Sequence, residues 1–238
     1  MKGMNIVEIS PFYEKRMQCL LCKEHFPTTR IRSRQVRVSQ HDSDFRPIYI
    51  NKEINPIFYN VAVCPQCGFA YTDDFSPYFG PGVKEKIAKN ITAKWRSRSF
   101  GHLRSKEEAV QTYKLAYLSA NFKKEKHLTI AGMMLRIAWI YRESKETENE
   151  MRYIRIARDL YIQAFSEGDH VGTQMSETRV QYLIAELSWR IEDRPEAIRN
   201  FSRVIEAQKR STEPNIIQLA KDRWQEIRED EATNTLAK

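Results

Sequence analysis

At 238 residues with 41% apolar side chains, the chain is long enough to bury the cores of one large or two modest domains. No apolar run approaches the ~20 residues that cross a bilayer, and the segment Met1 to Pro11 lacks the apolar stretch and cleavage site of a secretory leader, so a cytoplasmic protein without membrane spans is expected. The net charge of +8 is concentrated: residues 81–130 hold 12 basic against 4 acidic side chains, whereas residues 1–80 hold 10 against 8 and residues 131–238 hold 17 against 19.

The whole cysteine inventory is two C-x-x-C pairs, Cys19/Cys22 and Cys64/Cys67. A C-x-x-C turn delivers two sulfurs from one tight knuckle, and two knuckles complete a tetrahedral set, so one structural zinc ion is the economical reading. Paired disulfides, a redox dithiol and four unconnected thiols are the competing readings; the expected reducing cytosol disfavours the first, and a redox role needs only one pair. In the second knuckle Pro65 stiffens the turn and Gly68 supplies a residue free to take positive φ. The first knuckle, Cys19-Leu20-Leu21-Cys22-Lys23, has neither aid, and 41 residues separate the pairs, more than in a compact ribbon. His25 and His41 are near enough in sequence to replace a cysteine, but with four thiols present they read as surface or second-sphere residues.

Between the knuckles, Arg30, Arg32 and Arg34 alternate with Ile31, Ser33 and Gln35, which predicts a strand with a solvated basic face; the apolar parity shifts at Val36 and Val38, a hint of a bulge. The loop from His41 to Pro47 mixes imidazole and carboxylates. It could bind a metal or serve acid-base chemistry, but no nucleophile or second convergent group is near in sequence, and turn chemistry suffices. Ile57 to Val63 is aromatic and β-branched, and predicts a strand leading into Cys64.

Tyr71 to Gly82, with Pro77, Gly80, Pro81 and Gly82, reads as the linker from β to helical territory. Beyond it Val83, Ile87, Ile91 and Trp95 recur every four residues, predicting an amphipathic basic helix over 83–98 that carries Lys84, Lys86, Lys89, Lys94, Arg96 and Arg98. Phosphate backbones and anionic headgroups both attract such a surface. An ordinary surface helix docked by its four-residue stripe is the favoured reading, since the stripe is narrow and a solvated lysine face is common.

The remainder repeats a pattern. Ala109, Tyr113 and Ala116 share their spacing with Ala157, Tyr161 and Ala164 and with Ala197, Phe201 and Val204. Small residues let a helix approach its neighbour while the aromatic fills the gap, as in the second helix of a tetratricopeptide-type hairpin. Leu135, Ala138 and Tyr141 read as the first helix before the second copy, and Ile184, Ala185 and Ser188 as the first helix before the third. Ile216, Ile217, Ala220, Trp224 and Ile227 predict a capping helix.

The knuckles, Asp42-Ser43-Asp44-Phe45, Asn55-Pro56-Ile57-Phe58-Tyr59 ahead of Cys64-Pro65-Gln66-Cys67-Gly68-Phe69-Ala70, and Leu135-Arg136-Ile137-Ala138-Trp139-Ile140-Tyr141-Arg142 together resemble an uncharacterised bacterial family, domain-of-unknown-function family 2225. The likeness covers most of the chain. It implies a zinc-ribbon-like amino-terminal part followed by tetratricopeptide-like helices, in cytosolic proteins found largely in Gram-positive bacteria, and it supplies no activity. Leu20 and Lys23 stand where a proline and a glycine are common in that family.

The expected architecture is therefore α+β: a zinc-binding β-rich module over 1–76, a basic helical connector over 77–130 that includes the first repeat-like helix, and a helical-hairpin repeat domain over 131–238. The expected function is a zinc-stabilised scaffold or adaptor whose groove holds a protein or peptide, with Tyr113, Trp139, Tyr161 and Trp189 as candidate anchors, although aromatics at helical spacing are more often core. The alternative is an RNA- or DNA-binding protein in which the zinc module, Arg30, Arg32, Arg34 and the basic helix form one surface. An enzyme ranks third: the sequence has no Ser-His-Asp grouping, Gly-rich phosphate loop or H-E-x-x-H helix, and a zinc closed by four cysteines leaves no position for substrate.

Overall fold

The structure, a computed structural model, describes residues 9–209 and 211–236, with no side-chain placement beyond Glu229; most of the amino-terminal segment read above for a leader lies outside the described residues. The chain divides into two compact units, one holding residues up to Gln40 with Pro47–Lys124, the other His41–Arg46 with residues from Glu125 onward. Small antiparallel strands precede seven α-helices among the described residues.

In the first unit β1 (Phe12–Gln18) and β2 (His25–Ile31) pair antiparallel, from Phe12 opposite Ile31 to Gln18 opposite His25, so the first knuckle is the hairpin's turn. Phe26 and Thr28 are buried while Pro27 between them is exposed, the two-residue period of a half-buried strand. The predicted basic strand stops at Ile31. Ser33–Gln35 forms a 3-10 turn closed by the Val36 N–H on the Ser33 carbonyl, so Arg32 and Arg34 share no strand face with Arg30, and the expected bulge is this turn. A short pair follows, β3 (Val38–His41) with β4 (Pro47–Tyr49).

The strand expected from Ile57 to Val63 contracts to its last two residues. The Asn55 side chain accepts from the Ile57 N–H at 3.0 Å and Pro56 occupies the first turn position, so Pro56–Tyr59 winds into a 3-10 turn. Only β5 (Ala62–Val63) remains, antiparallel to β6 (Ala70–Tyr71), with the second knuckle between them. The basic helix is likewise shorter than its periodicity predicts. Helix α1 (Val83–Asn90) buries Val83 and Ile87, a 3-10 turn covers Thr92–Lys94, and the chain is extended at Trp95, so Lys94, Arg96 and Arg98 lie beyond the helix. Helix α2 (Lys106–Lys123) opens on a capping box between Ser105 and Glu108.

The second unit contains helices α3 (His127–Glu143), α4 (Thr147–Ser166), α5 (Glu177–Arg190), α6 (Arg194–Glu206) and α7 (Pro214–Leu236). Helices α3 with α4 and α5 with α6 form successive hairpins, α4 packs on α5, and α7 lies against α5 and α6. The two hairpin turns have the same form: Lys145 (φ 59°) and Glu192 (φ 64°) take the left-handed conformation that glycine usually fills, and Glu146 N–H and Asp193 N–H return to the carbonyls of Tyr141 and Ser188. All nine residues of the repeated small–aromatic–small pattern are buried, on α2, α4 and α6. The first copy, however, packs on the β-rich part of its own unit rather than within a helical hairpin: Tyr113 Oη donates to the Ile57 carbonyl at 2.8 Å. Ile216, Ile217, Ala220 and Ile227 of α7 join Phe201 and Val204 of α6 in one core cluster. No helix among the described residues is long and apolar enough to cross a membrane.

Candidate metal centre

The two knuckles are built alike. In the first, Lys23 N–H closes on the Cys19 carbonyl at 3.1 Å and Cys19 N–H on the Glu24 carbonyl at 2.9 Å; in the second, Gly68 N–H closes on the Cys64 carbonyl at 2.9 Å and Cys64 N–H on the Phe69 carbonyl at 3.0 Å. Lys23 (φ 66°) takes the left-handed conformation that Gly68 (φ 74°) takes in the second turn. The absence of glycine from the first knuckle therefore leaves the turn intact at the cost of strain in Lys23, about 1–2 kcal/mol for a residue with a Cβ.

All four thiols are free, which removes the disulfide reading, and they converge, which removes that of unconnected thiols. Cys19 Sγ lies 3.6 Å from Cys67 Sγ and Cys22 Sγ 3.7 Å from Cys64 Sγ, with all four sulfurs within 4.8 Å of one another. Four thiolates at ~2.3 Å from a central tetrahedral ion stand about 3.8 Å apart, so the cluster has the dimensions of a four-sulfur cage and could hold one metal ion. His25 and His41 are exposed and belong to no metal-ligating group found among the described residues.

The electrostatics favour the same conclusion. Cys64 is held far below the usual thiol range by hydrogen bonds from Cys19 and Cys67 and by the backbone N–H groups of Cys67 and Gln66. Cys67 is pushed up by its hydrogen bonds to Cys19 and Cys64 and by burial, and Cys19 is pushed up to about 12 by its hydrogen bond to Cys64 and by burial. Crowded thiols oppose one another's ionisation, and a divalent ion supplies the charge that lets all four ionise.

Two residues that sequence reasoning left out of the site hold the knuckles in place. Trp95 Nε1 donates to the Pro65 carbonyl at 2.8 Å, and the ring lies so close over Gly68 that an added Cβ would stand 2.5 Å from its Cδ2 atom. That anchor takes Trp95 out of the helical period at which it was predicted. Tyr71 Oη donates to the Gln18 carbonyl at 2.8 Å, tying the second hairpin to the first.

The other candidate residues disperse. Arg30 is turned inward, donating to the Tyr59 carbonyl and pairing with Asp73. Arg32 donates to the Ser10 carbonyl and covers Tyr13, Lys84 covers Phe79, and Arg98 covers Trp95 and Phe100. Arg34, Lys86, Lys89, Lys94 and Arg96 are exposed. Tyr113 and Tyr161 are core residues, and Trp189 packs on the α5–α7 core with Arg194 over its ring.

Trp139 points to a feature that the sequence did not reveal. Its Nε1 donates at 3.0 Å to Asp44, a fully buried carboxylate in the 41–46 segment of the second unit. Arg142 reaches both oxygens of Asp44, at 3.0 and 2.7 Å, and also Asp42 at 2.8 Å, while its Nε donates to Glu150 at 2.6 Å. Burial alone would raise the Asp44 pKa, but the Arg142 hydrogen bonds and the charges of Arg190 and Arg142 prevail and hold it below the usual carboxylate range.

These features define an α+β protein whose amino-terminal cysteine cluster is fit for a metal ion and is followed by a helical domain. The family model described as "Uncharacterized protein conserved in bacteria (DUF2225)" matches residues 12–227, and the chain belongs to that family. No curated protein and no solved structure matches it.

Proposed function

We propose that the protein is a zinc-stabilised helical scaffold that binds a protein or peptide partner in the bacterial cytosol. Zinc is the metal that the donor set favours, since four thiolates in tetrahedral spacing suit it and leave no open position for chemistry. Its role is then to hold a unit whose strands are too short to supply much core by themselves. For the second unit we take stacked hairpins of the tetratricopeptide kind, in view of the buried small–aromatic–small positions of α4 and α6 and the two matching hairpin turns.

The observation that carries the binding role is that these helices already hold a short loop by side-chain recognition: residues 41–46 are gripped by α3, α5 and their neighbours through Arg142, Trp139 and Tyr182. Partner capture on the immobilised full-length chain tests the reading. Retention of a defined bacterial protein that survives moderate salt is expected. Retention confined to heparin or RNA and lost between low and moderate salt would instead support nucleic-acid binding through the exposed basic residues of the first unit.

A further inference from the structure

The 41–46 segment is held in the manner of a bound peptide. Its backbone closes on itself, with Asp42 N–H to the Arg46 carbonyl and Phe45 N–H to the Asp42 carbonyl, both at 2.9 Å, and Phe45 takes φ 67°. Three kinds of group then meet the helices. The Asp44 carboxylate receives the Arg142 fork and the Trp139 indole. The Ser43 carbonyl accepts from Tyr182 Oη at 2.9 Å, while its hydroxyl donates to Glu186 at 2.5 Å and accepts from Arg190 at 2.9 Å. The Phe45 ring lies 5.2 Å from that of Tyr182, with Arg179 on it at 5.4 Å.

The helices hold these receptors ready by themselves. Glu150 fixes Arg142 through Nε, leaving the two terminal amino groups for the segment. Glu186, fully buried, accepts Nε of Arg190 at 2.9 Å and Nε of Arg223 at 2.9 Å, so Arg190 too presents its outer end to Ser43. Guanidinium groups set in advance by carboxylates of the same helical unit, Glu150 of α4 for Arg142 of α3 and Glu186 of α5 for Arg190, lose little freedom when a ligand arrives, which is the economy of a preorganised site.

We infer that this face is a recognition site for turn-forming peptides with a carboxylate followed directly by an aromatic residue, and that residues 41–46 are its resident occupant, which a partner of the same chemistry displaces. The inference rests on the scaffold reading and names the partner class for it. A tethered occupant competes at high effective concentration, so an external peptide binds weakly until the resident is weakened.

The test uses the full-length chain and a fluorescent peptide spanning residues 38–49. Replacing residues 41–46 by a Gly/Ser stretch should raise peptide affinity at least tenfold over the unaltered chain. Alanine at the Asp44 position of the peptide, or Arg142→Ala in the replaced chain, should lower it at least tenfold. A replaced chain that keeps its helical circular dichroism and does not bind, or that binds the alanine peptide equally, overturns the inference. Should the replacement not fold, Asp44→Ala in the full chain serves the same comparison with the same outcomes. In the unaltered chain, millimolar peptide should speed hydrogen exchange at the amides of Asp42 and Phe45 at least threefold, and unchanged rates count against displacement. If these arms fail while a captured partner is still retained after Arg142→Ala, the scaffold reading stands and only this site is lost.

Discussion

At Gly68 two demands coincide: positive φ, and the Trp95 ring where a Cβ would stand. Gly68→Ala should destabilise the first unit by about 2–4 kcal/mol, from left-handed strain and overpacking together, and should weaken metal retention, read by competition with a chelator. Asp44 is the corresponding residue of the second unit. Removing its charge takes from Arg142 the carboxylate that it grips with two hydrogen bonds and leaves it Asp42 and Glu150, a loss of about 1.5–3 kcal/mol, so Asp44→Asn should lower the urea midpoint of the second unit at neutral pH. Because the native carboxyl is held below its ordinary value, its contribution is complete above that value, about 3.9, and is lost as pH falls through the native one. The gap between Asp44→Asn and the parent should accordingly be constant from pH 5 to 8 and narrow below about pH 4. A gap that widened in acid would contradict this assignment.

Among the elements, α1 shows how far a periodic pattern can be trusted. Val83 and Ile87 face inward as the four-residue spacing predicts, but the anchor of Trp95 on Pro65 breaks the helix after Asn90. Lys86 and Lys89 of α1 are exposed, so Lys86→Glu with Lys89→Glu should leave folding unchanged, within about 0.5 kcal/mol, and should weaken any retention on heparin. Helices α4 and α6 and their buried faces were legible because each repeats a local code, Ala-x-x-x-aromatic-x-x-small/apolar, that needs no distant information. The cysteine cluster was legible for a similar reason, since sulfur type and C-x-x-C spacing define a donor set. Trp95 and the 41–46 segment were not. Asp44 and Arg142 stand 98 residues apart, and nothing in a loop of Asp, Ser and Phe distinguishes an internal turn from a segment that helices grip. The strand expected at Ile57 failed for a local reason, Asn55 and Pro56 being a capping pair that the aromatic run obscured.

On the scale of the whole molecule the two units rest on different physics. The second closes a helical core with apolar faces and a buried ionic cluster, whereas the first spends its strands on presenting sulfurs, with α1 and α2 laid against them. Losing the metal should therefore act on one unit first: Cys64→Ser should unfold the first unit, including α1 and α2, and leave the helical signal of α3 to α7. The first unit as described holds together only if the four sulfurs share one ion. Elemental analysis of the full-length chain, purified under reducing conditions without added metal, tests it most directly. One zinc per chain is expected, retained through dialysis and absent from Cys64→Ser. Native protein that is folded and carries no zinc, or whose zinc survives Cys64→Ser undiminished, would contradict it.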